Sequence, residues 1–293
     1  MIAASKVSRC AAVQIRAPLA PFPVFLAATG KELCERVAHV VENNGRDPWF
    51  WQEARLRAQT LENVLEPRQV VKLASSVLKA KSTDEAFTDM VARRFAHYVH
   101  HGGASVSETI ALWSTLLKLG VDGSSPLFRD GATYASSQFS QLSWRDNLVL
   151  LTCLLRSNSG DCALARAAAA RFSDAEYCKR LSPSEVSMLL SSLWGLKLPL
   201  SIPMLEGVSM ALRKSLTAGS SASGSGSGSL SKSEFNHRTI SIVLNTLAFN
   251  KIGWEDHELA KLLAKQLVDL NIPILSGLKK YPKTFTSSRG FTN

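Results

Sequence analysis

The sequence contains an internal repeat, and this repeat restricts the folds open to the chain more than any other feature. Five segments open with a similar pattern, and their starts lie 39, 38, 39 and 54 residues apart. The segments begin at Leu65, Ala104, Leu142, Leu181 and Phe235. A period of this length indicates a supersecondary unit that cannot bury its apolar face alone and must stack on its neighbours.

Each repeat is predicted to be a pair of helices. A Ser or Asn follows the opening residue in four of the five segments, which suits a helix N-cap, while Pro67 and Pro183 stand in a first turn that needs no N–H donor. Apolar residues then return at helical spacing, in the fourth segment as Val186, Leu189, Leu190 and Leu193. A short break follows, rich in polar residues, Gly or Pro, and a second helix with an apolar face comes after it.

We therefore predict an all-α protein, a right-handed α-solenoid of stacked antiparallel helix pairs with about five repeats of 38–39 residues. Residues 31–64 are predicted to form an N-terminal cap pair or a degenerate repeat of weaker register, and residues 65–270 the solenoid. Within it, the Ser- and Gly-rich residues 219–233 account for the longest interval and are predicted to be a flexible loop. Residues 271–293 are a basic C-terminal tail.

Residues 1–30 have the composition of an organellar transit peptide. They are rich in Ala, Ser and Arg, contain no Asp or Glu, and mix basic with apolar residues, as a positively charged amphipathic helix requires. We expect the mitochondrial matrix in preference to a plastid, and the alternative is an N-terminus that is simply disordered. No window approaches the roughly 20 apolar residues of a membrane-spanning helix, so no membrane span is predicted.

The net charge of +10 is concentrated at the two ends of the chain. Residues 1–31 and residues 271–293 each carry four basic side chains and no acidic one, so together they supply +8. The remaining residues 32–270 contain 26 basic and 24 acidic side chains. Net charge alone therefore does not predict that the body of the protein binds nucleic acid.

The sequence contains no group of residues that indicates catalysis. It has no P-loop, no glycine-rich dinucleotide turn and no paired carboxylates, and Cys153 lies on the apolar face of a predicted helix. The five cysteines form no C-x-x-C pair, which fits a reducing compartment. His97, His100 and His101 have no Asp, Glu or Cys close enough in sequence to complete a metal site. We expect no enzyme activity, no cofactor and no metal.

A basic residue stands near the end of the first helix in each repeat. Because equivalent positions form a row in a stack of repeats, these side chains are candidate phosphate contacts for RNA, as are three lysines of the C-terminal tail. The other interpretation is that the cations only complement the negative end of the helix dipole. The candidate residues are Lys79, Lys118, Arg156, Lys197, Lys251, Lys279, Lys280 and Lys283.

The repeat resembles those of a class of organellar proteins, the octotricopeptide and heptatricopeptide repeat families. The best match to their consensus is Leu189-Leu-Ser-Ser-Leu-Trp-Gly-Leu196, and weaker matches occur at 73–80 and 112–119. The resemblance covers about residues 65–270 and implies binding of organellar RNA, in transcript stability, processing or mitochondrial ribosome structure, as in the related proteins with FAST-kinase-like and RAP domains. No RAP-like segment follows Asn271, so RNA cleavage is not expected.

Two functions fit these features. The first is a non-catalytic organellar RNA-binding protein, associated with mitochondrial ribosomal RNA or RNA processing and working among other proteins of a mitochondrial ribonucleoprotein complex. The second is a protein-interaction scaffold or structural subunit of a large mitochondrial complex. The resemblance favours RNA, whereas the nearly neutral body favours protein partners. A clustered basic surface would support the first function, and an exposed apolar strip the second.

Overall fold

The computed structural model describes residues 27–45, 47–157, 162–221 and 240–243, and the regular elements in these residues are all helices. The prediction of an all-α protein is thus confirmed. Within these same ranges, no helix has the length and apolar character needed to cross a membrane. The chain divides into two compact units, the first ending at Ser82 and the second beginning at Thr83.

In its described residues, the first unit consists of α1 (Gly30–Glu42), α2 (Pro48–Thr60) and α3 (Pro67–Ala80). The elements of the second unit begin with α4 (Glu85–His101), α5 (Val106–Leu119), α6 (Pro126–Ser137), α7 (Trp144–Ser157) and α8 (Cys162–Ala170). They continue with α9 (Ala175–Cys178), α10 (Pro183–Gly195) and α11 (Ile202–Ser221). Short 3-10 turns occupy Phe139–Gln141 and Arg171–Ser173.

The first helices of the repeats are α1, α3, α5, α7 and α10, and they begin with similar caps. In four of them a Ser or Thr hydroxyl accepts the N–H of the residue three positions on, whose carboxylate in turn accepts the N–H of the cap. These capping boxes satisfy donors that the first turn of a helix leaves without a partner. Their N-caps are Thr29, Ser105, Ser143 and Ser182, and in α3 the N–H of Glu66 donates to Oε1 of Gln69 at 3.1 Å.

The same helices also end alike. A residue 15 positions after the N-cap has a left-handed φ, between 53° and 96°, in α1, α3, α5 and α10. The N–H of the residue after it donates to the carbonyl oxygen five residues back, which is the Schellman motif. The first helices therefore share a length that is fixed at both ends. The left-handed residues are Asn44, Lys81, Gly120 and Lys197.

These caps show that α1 follows the plan of the other first helices. Its N-cap, Thr29, precedes Glu66 by 37 residues, close to the 39 residues between Glu66 and Ser105. The sequence pattern suggested a weaker register for residues 31–64, whereas the helix begins at Gly30 with a complete capping box.

Several predictions concern residues outside the described part of the chain. These are most of the transit peptide, the basic tail, and the fifth repeat except for residues 240–243, where Ile240 and Val243 are buried in a helical stretch. Only the first three residues of the predicted loop 219–233 are described, and they continue α11 to Ser221. The helix extends into the predicted loop because a single Gly in a run of Ala and Ser weakens a helix by only about 1 kcal/mol.

In the first unit, α1 packs against both α2 and α3. The guanidinium of Arg57 in α2 donates two hydrogen bonds, of 2.7 and 2.9 Å, to the carbonyl oxygen of Ala28. This contact fixes the chain just before the cap of α1. The buried apolar side chains of α1 and α3 include Leu33, Val37, Val70, Leu73 and Ala74.

In the second unit, the first helices α5, α7 and α10 pack side by side in sequence order. Near their starts, Oγ of Ser107 donates to Oδ2 of Asp146 at 2.8 Å. In their later turns, Oγ1 of Thr152 lies 3.3 Å from Oγ of Ser192. The α7–α10 pair also meets near its starts, where Nε of Arg145 lies 3.7 Å from Oε1 of Glu185. The α5–α7 pair meets again at its ends, where Gly123 approaches the carbonyl oxygen of Arg156. Neighbouring first helices therefore run parallel and in register.

The second helices α4 and α6 pack on α5 and on each other. Trp113 of α5 stacks on Phe128 of α6 with ring centroids 5.8 Å apart, and Phe95 of α4 meets Phe128 edge-on at 6.3 Å. A Cβ on Gly131 would lie 2.8 Å from Cζ of Phe95, so glycine allows this close approach of α6 to α4. A buried cluster of three aromatic rings thus stabilises the packing of α4, α5 and α6.

Candidate nucleic-acid interface

Four of the eight candidate basic residues lie in the described part of the chain, and all four are exposed. Three of them stand 13 residues after the N-cap, in the last turn of α3, α5 and α7. The four are Lys79 in the first unit and Lys118, Arg156 and Lys197 in the second. The other four, Lys251, Lys279, Lys280 and Lys283, lie outside the described residues.

In the second unit, the carboxyl-terminal ends of α5, α7 and α10 lie next to one another. The turn after α5 approaches α7 so closely that a Cβ on Gly123 would lie 2.4 Å from the carbonyl oxygen of Arg156. A Cβ on Gly195, at the end of α10, would lie 2.4 Å from Cδ1 of Leu155 in α7. We call this surface the carboxyl edge, and define it by the charged residues Lys118, Asp122, Arg156 and Lys197.

Lys118 and Arg156 occupy adjacent places on the carboxyl edge. They stand at the same repeat position of α5 and α7, and these two helices pack against each other with both their starts and their ends in contact. The buried Cys153 of α7 is sensitive to both charges. Burial raises the pKa of this thiol to about 12, and the positive charges of Lys118 and Arg156 both act against the rise, as does a hydrogen bond with Ser114.

Lys197 does not occupy the repeat position of the other candidates, which corrects the prediction of a regular row. In α10 the residue 13 positions after the N-cap is Gly195, and any side chain there would have to displace Leu155. The cation instead stands two residues later, just beyond the helix, with a φ of 56°. In the second unit the described row therefore consists of two equivalent cations and one shifted lysine.

An acidic residue also lies on the carboxyl edge. The hydroxyl and the backbone N–H of Ser124 donate to the carboxylate of Asp122 at 2.5 and 3.0 Å, and these hydrogen bonds lower the pKa of Asp122. The carboxylate is therefore ionised at neutral pH. Its charge, four residues after Lys118, opposes the attraction of the edge for phosphate.

In the first unit, α3 ends with two exposed lysines, Lys79 and Lys81. Lys81 is not among the sequence candidates. It has the left-handed φ of the helix end, and it occupies the repeat position of Gly120 and Lys197. Aligning the breaks between helices, and not only their starts, would have identified it.

The structure also locates the groups considered for other chemistry. Burial raises the pKa of the Cys34 thiol to about 11 and that of Cys178 to about 12, so neither thiol forms a thiolate readily at neutral pH. Nε2 of His100 lies 3.5 Å from Oδ2 of Asp130, a contact between α4 and α6 that sequence spacing did not predict. Among the described residues, no group of three or more potential ligands could hold a metal ion.

No protein-family model matches the chain, and no curated protein sequence matches it. The case for a function therefore depends on the residues of this chain.

Proposed function

We propose that the protein is a non-catalytic RNA-binding protein, and that the carboxyl edge binds phosphates of a single-stranded RNA. The observation that carries this proposal is the pair of exposed cations, Lys118 and Arg156, at equivalent positions of two adjacent parallel helices. A row of separate cations suits a polymer that carries one negative charge per nucleotide.

The helix dipole gives a weaker explanation of the same cations. Helix α1 has the same caps and nearly the same length, yet its residue 13 positions after the N-cap is Glu42. If the helix dipole required a cation at this position, α1 would also carry a cation there and not Glu42. In addition, the Schellman hydrogen bonds already satisfy carbonyl groups at the ends of α3, α5 and α10.

We propose that the helix pairs of each unit stack as a right-handed α-solenoid, with the first helices on one face. The parallel, in-register packing of α5, α7 and α10 supports this arrangement. The resemblance of residues 65–270 to organellar repeat proteins supports a role with mitochondrial ribosomal RNA or in RNA processing. The composition of residues 1–30 supports location in the mitochondrial matrix.

The test is a salt titration of RNA binding by the full chain. Fluorescence anisotropy with labelled poly(U) would be measured at increasing KCl for the unmodified protein and for a Lys118→Gln, Arg156→Gln double variant. We expect the slope of log K against log salt to become shallower by about 0.7 for each lost phosphate contact. Affinity should fall at every salt concentration.

The matched control is Arg145→Gln, which removes a charge from the opposite end of α7. Arg145 is exposed, lies 3.7 Å from the carboxylate of Glu185, and places its guanidinium 4.9 Å from the centroid of the Trp144 ring. Both contacts are weak at an exposed site, so the loss of Arg145 should leave RNA binding unchanged and lower stability only slightly. The proposal fails if the unmodified chain shows no salt-dependent binding. It also fails if the double variant and the control bind alike.

A specific observation favours the second candidate, a protein-interaction scaffold. Trp194 and Met188 of α10 are 50% and 38% exposed, Met210 of α11 is 50% exposed, and exposed apolar side chains on two packed helices suit a contact with another protein. Sedimentation of the protein from gently lysed mitochondria, with and without RNase, separates the two functions. RNase should release an RNA-bound protein from a large particle, whereas a scaffold held by protein contacts should stay in it.

A further inference from the structure

One repeat position combines a backbone conformation that favours glycine with a lysine side chain. It is the left-handed residue at the end of α1, α3, α5 and α10, 15 positions after the N-cap. Glycine occupies it after α5, where Gly120 has a φ of 96° and a Cβ would meet nothing within 4 Å. Lysine occupies it after α3 and α10, where Lys81 and Lys197 have φ of 53° and 56°.

Lysine is a costly choice at this position. In the left-handed region the Cβ of an L-residue crowds the following carbonyl oxygen, and glycine avoids this contact. Asn, found here as Asn44, tolerates the conformation because its short amide can form local hydrogen bonds. Lysine lacks this compensation because its ammonium group is four methylenes away from the backbone. Folding alone would therefore favour glycine at positions 81 and 197.

The two lysines have no evident structural role that offsets this cost. Both side chains are exposed, and neither forms an ion pair with any residue of the described ranges. In α10, Gly195 stands at the repeat position where α5 and α7 have Lys118 and Arg156. Lys197, two residues later, therefore supplies the positive charge at the end of this helix. The end of α10 thus retains a positive charge at a strained position.

We infer that Lys81 and Lys197 are phosphate-binding residues, kept in a strained conformation for the sake of their side chains. This inference rests on the proposed RNA-binding function. It makes Lys81 a phosphate-binding residue of the first unit, and it gives Lys197 of the second unit a role beyond complementing the helix dipole, which a cation inside the last turn would do equally well.

The test measures stability and RNA binding on the same variants of the full chain. Lys81→Gly and Lys197→Gly should each raise the Tm by roughly 2–4 °C, because strain is released. Each should also make the salt slope of poly(U) binding shallower by about 0.7. Lys31→Gln and Arg145→Gln control for loss of a distant exposed charge, and Asn44→Gly controls for the change to glycine at this position without loss of charge.

The expected result is therefore a gain of stability joined to a loss of RNA binding, whereas Asn44→Gly should leave RNA binding unchanged and raise the Tm less. The inference is overturned if poly(U) binds the glycine variants as it binds the unmodified protein, or if either variant lowers the Tm. An unmodified protein that binds no poly(U) would instead overturn the proposed function itself.

The reciprocal substitution tests the same idea without removing any native contact. Gly120→Lys places a third lysine at this position, in open space, on the carboxyl edge. It should lower the Tm by roughly 2–4 °C and make the salt slope steeper by about 0.7. A lower Tm with an unchanged slope would contradict the inference.

Discussion

The first and second helices of the repeats follow different rules. The first helices α1, α3, α5, α7 and α10 have 13 or 14 residues each and begin with similar N-terminal caps, whereas the second helices α2, α4, α6, α8 and α11 range from 9 to 20 residues. Neighbouring first helices of the second unit pack in register, so a change of length in one would misalign the next. The second helices pack against them with fewer such constraints, and the repeat is therefore defined mainly by the first helices.

The largest expected effect compares buried leucines in the two kinds of helix. Leu151 of α7 is fully buried, and α7 packs against α5, α8 and α10. Leu151→Ala should lower the free energy of unfolding by about 3–5 kcal/mol. Leu164→Ala in the short, Ala-rich α8 should cost only about 2 kcal/mol. Urea unfolding of both variants measures the difference, and an equal or larger loss for Leu164→Ala would contradict the comparison.

A smaller effect is expected from two serines that both serve as N-caps in the second unit. Ser105 of the first helix α5 forms a capping box with Glu108, whereas Ser125 of the second helix α6 makes no capping hydrogen bond with its side chain. Ser105→Ala should therefore destabilise the protein by about 1 kcal/mol, and Ser125→Ala by only a few tenths. Thermal unfolding under matched conditions would distinguish the two variants. Equal losses of stability would contradict a special role for the N-caps of the first helices.

These caps also explain how much of the fold could be predicted. A Ser that follows the opening residue of a segment predicts a helix start, and Ser105 and Ser182 are N-caps in the structure. Both belong to a Ser-x-x-Glu pattern, and the corresponding Thr29-x-x-Glu32 begins α1, for which the apolar spacing alone predicted a weaker register. Capping chemistry is local and can be read from four residues, whereas apolar periodicity depends on which neighbours cover the helix.

The candidate site could be predicted less completely than the fold. Lys118 and Arg156 were identified because they keep one repeat position in helices that pack in parallel. The offset of Lys197 from the position of Lys118 and Arg156 can be counted in the sequence, whereas the contact of Gly195 with Leu155, which leaves no room for a side chain at that position, is a matter of tertiary packing. Similarly, helix propensity does not indicate that the segment after α7 is divided into α8, a 3-10 turn and α9.

The smallest expected effect concerns the acidic residue of the carboxyl edge. Asp122→Asn should strengthen poly(U) binding by roughly twofold, because it removes one exposed negative charge near the cations. Since hydrogen bonds from Ser124 lower the pKa of Asp122, the carboxylate stays charged throughout the neutral range. The gain should therefore be the same at pH 6 and pH 8, and a gain that disappears at pH 6 would contradict this assignment.

The most direct test of the account is to map where RNA touches the protein. The full chain would be crosslinked to poly(U) by ultraviolet light, and the modified peptides identified by mass spectrometry. The account predicts crosslinks at the carboxyl-terminal ends of first helices, in peptides that contain Lys118, Arg156 or Lys197, and few on α4, α6 or α11. Crosslinks concentrated on those second helices, with none at the ends of α5, α7 and α10, would contradict it.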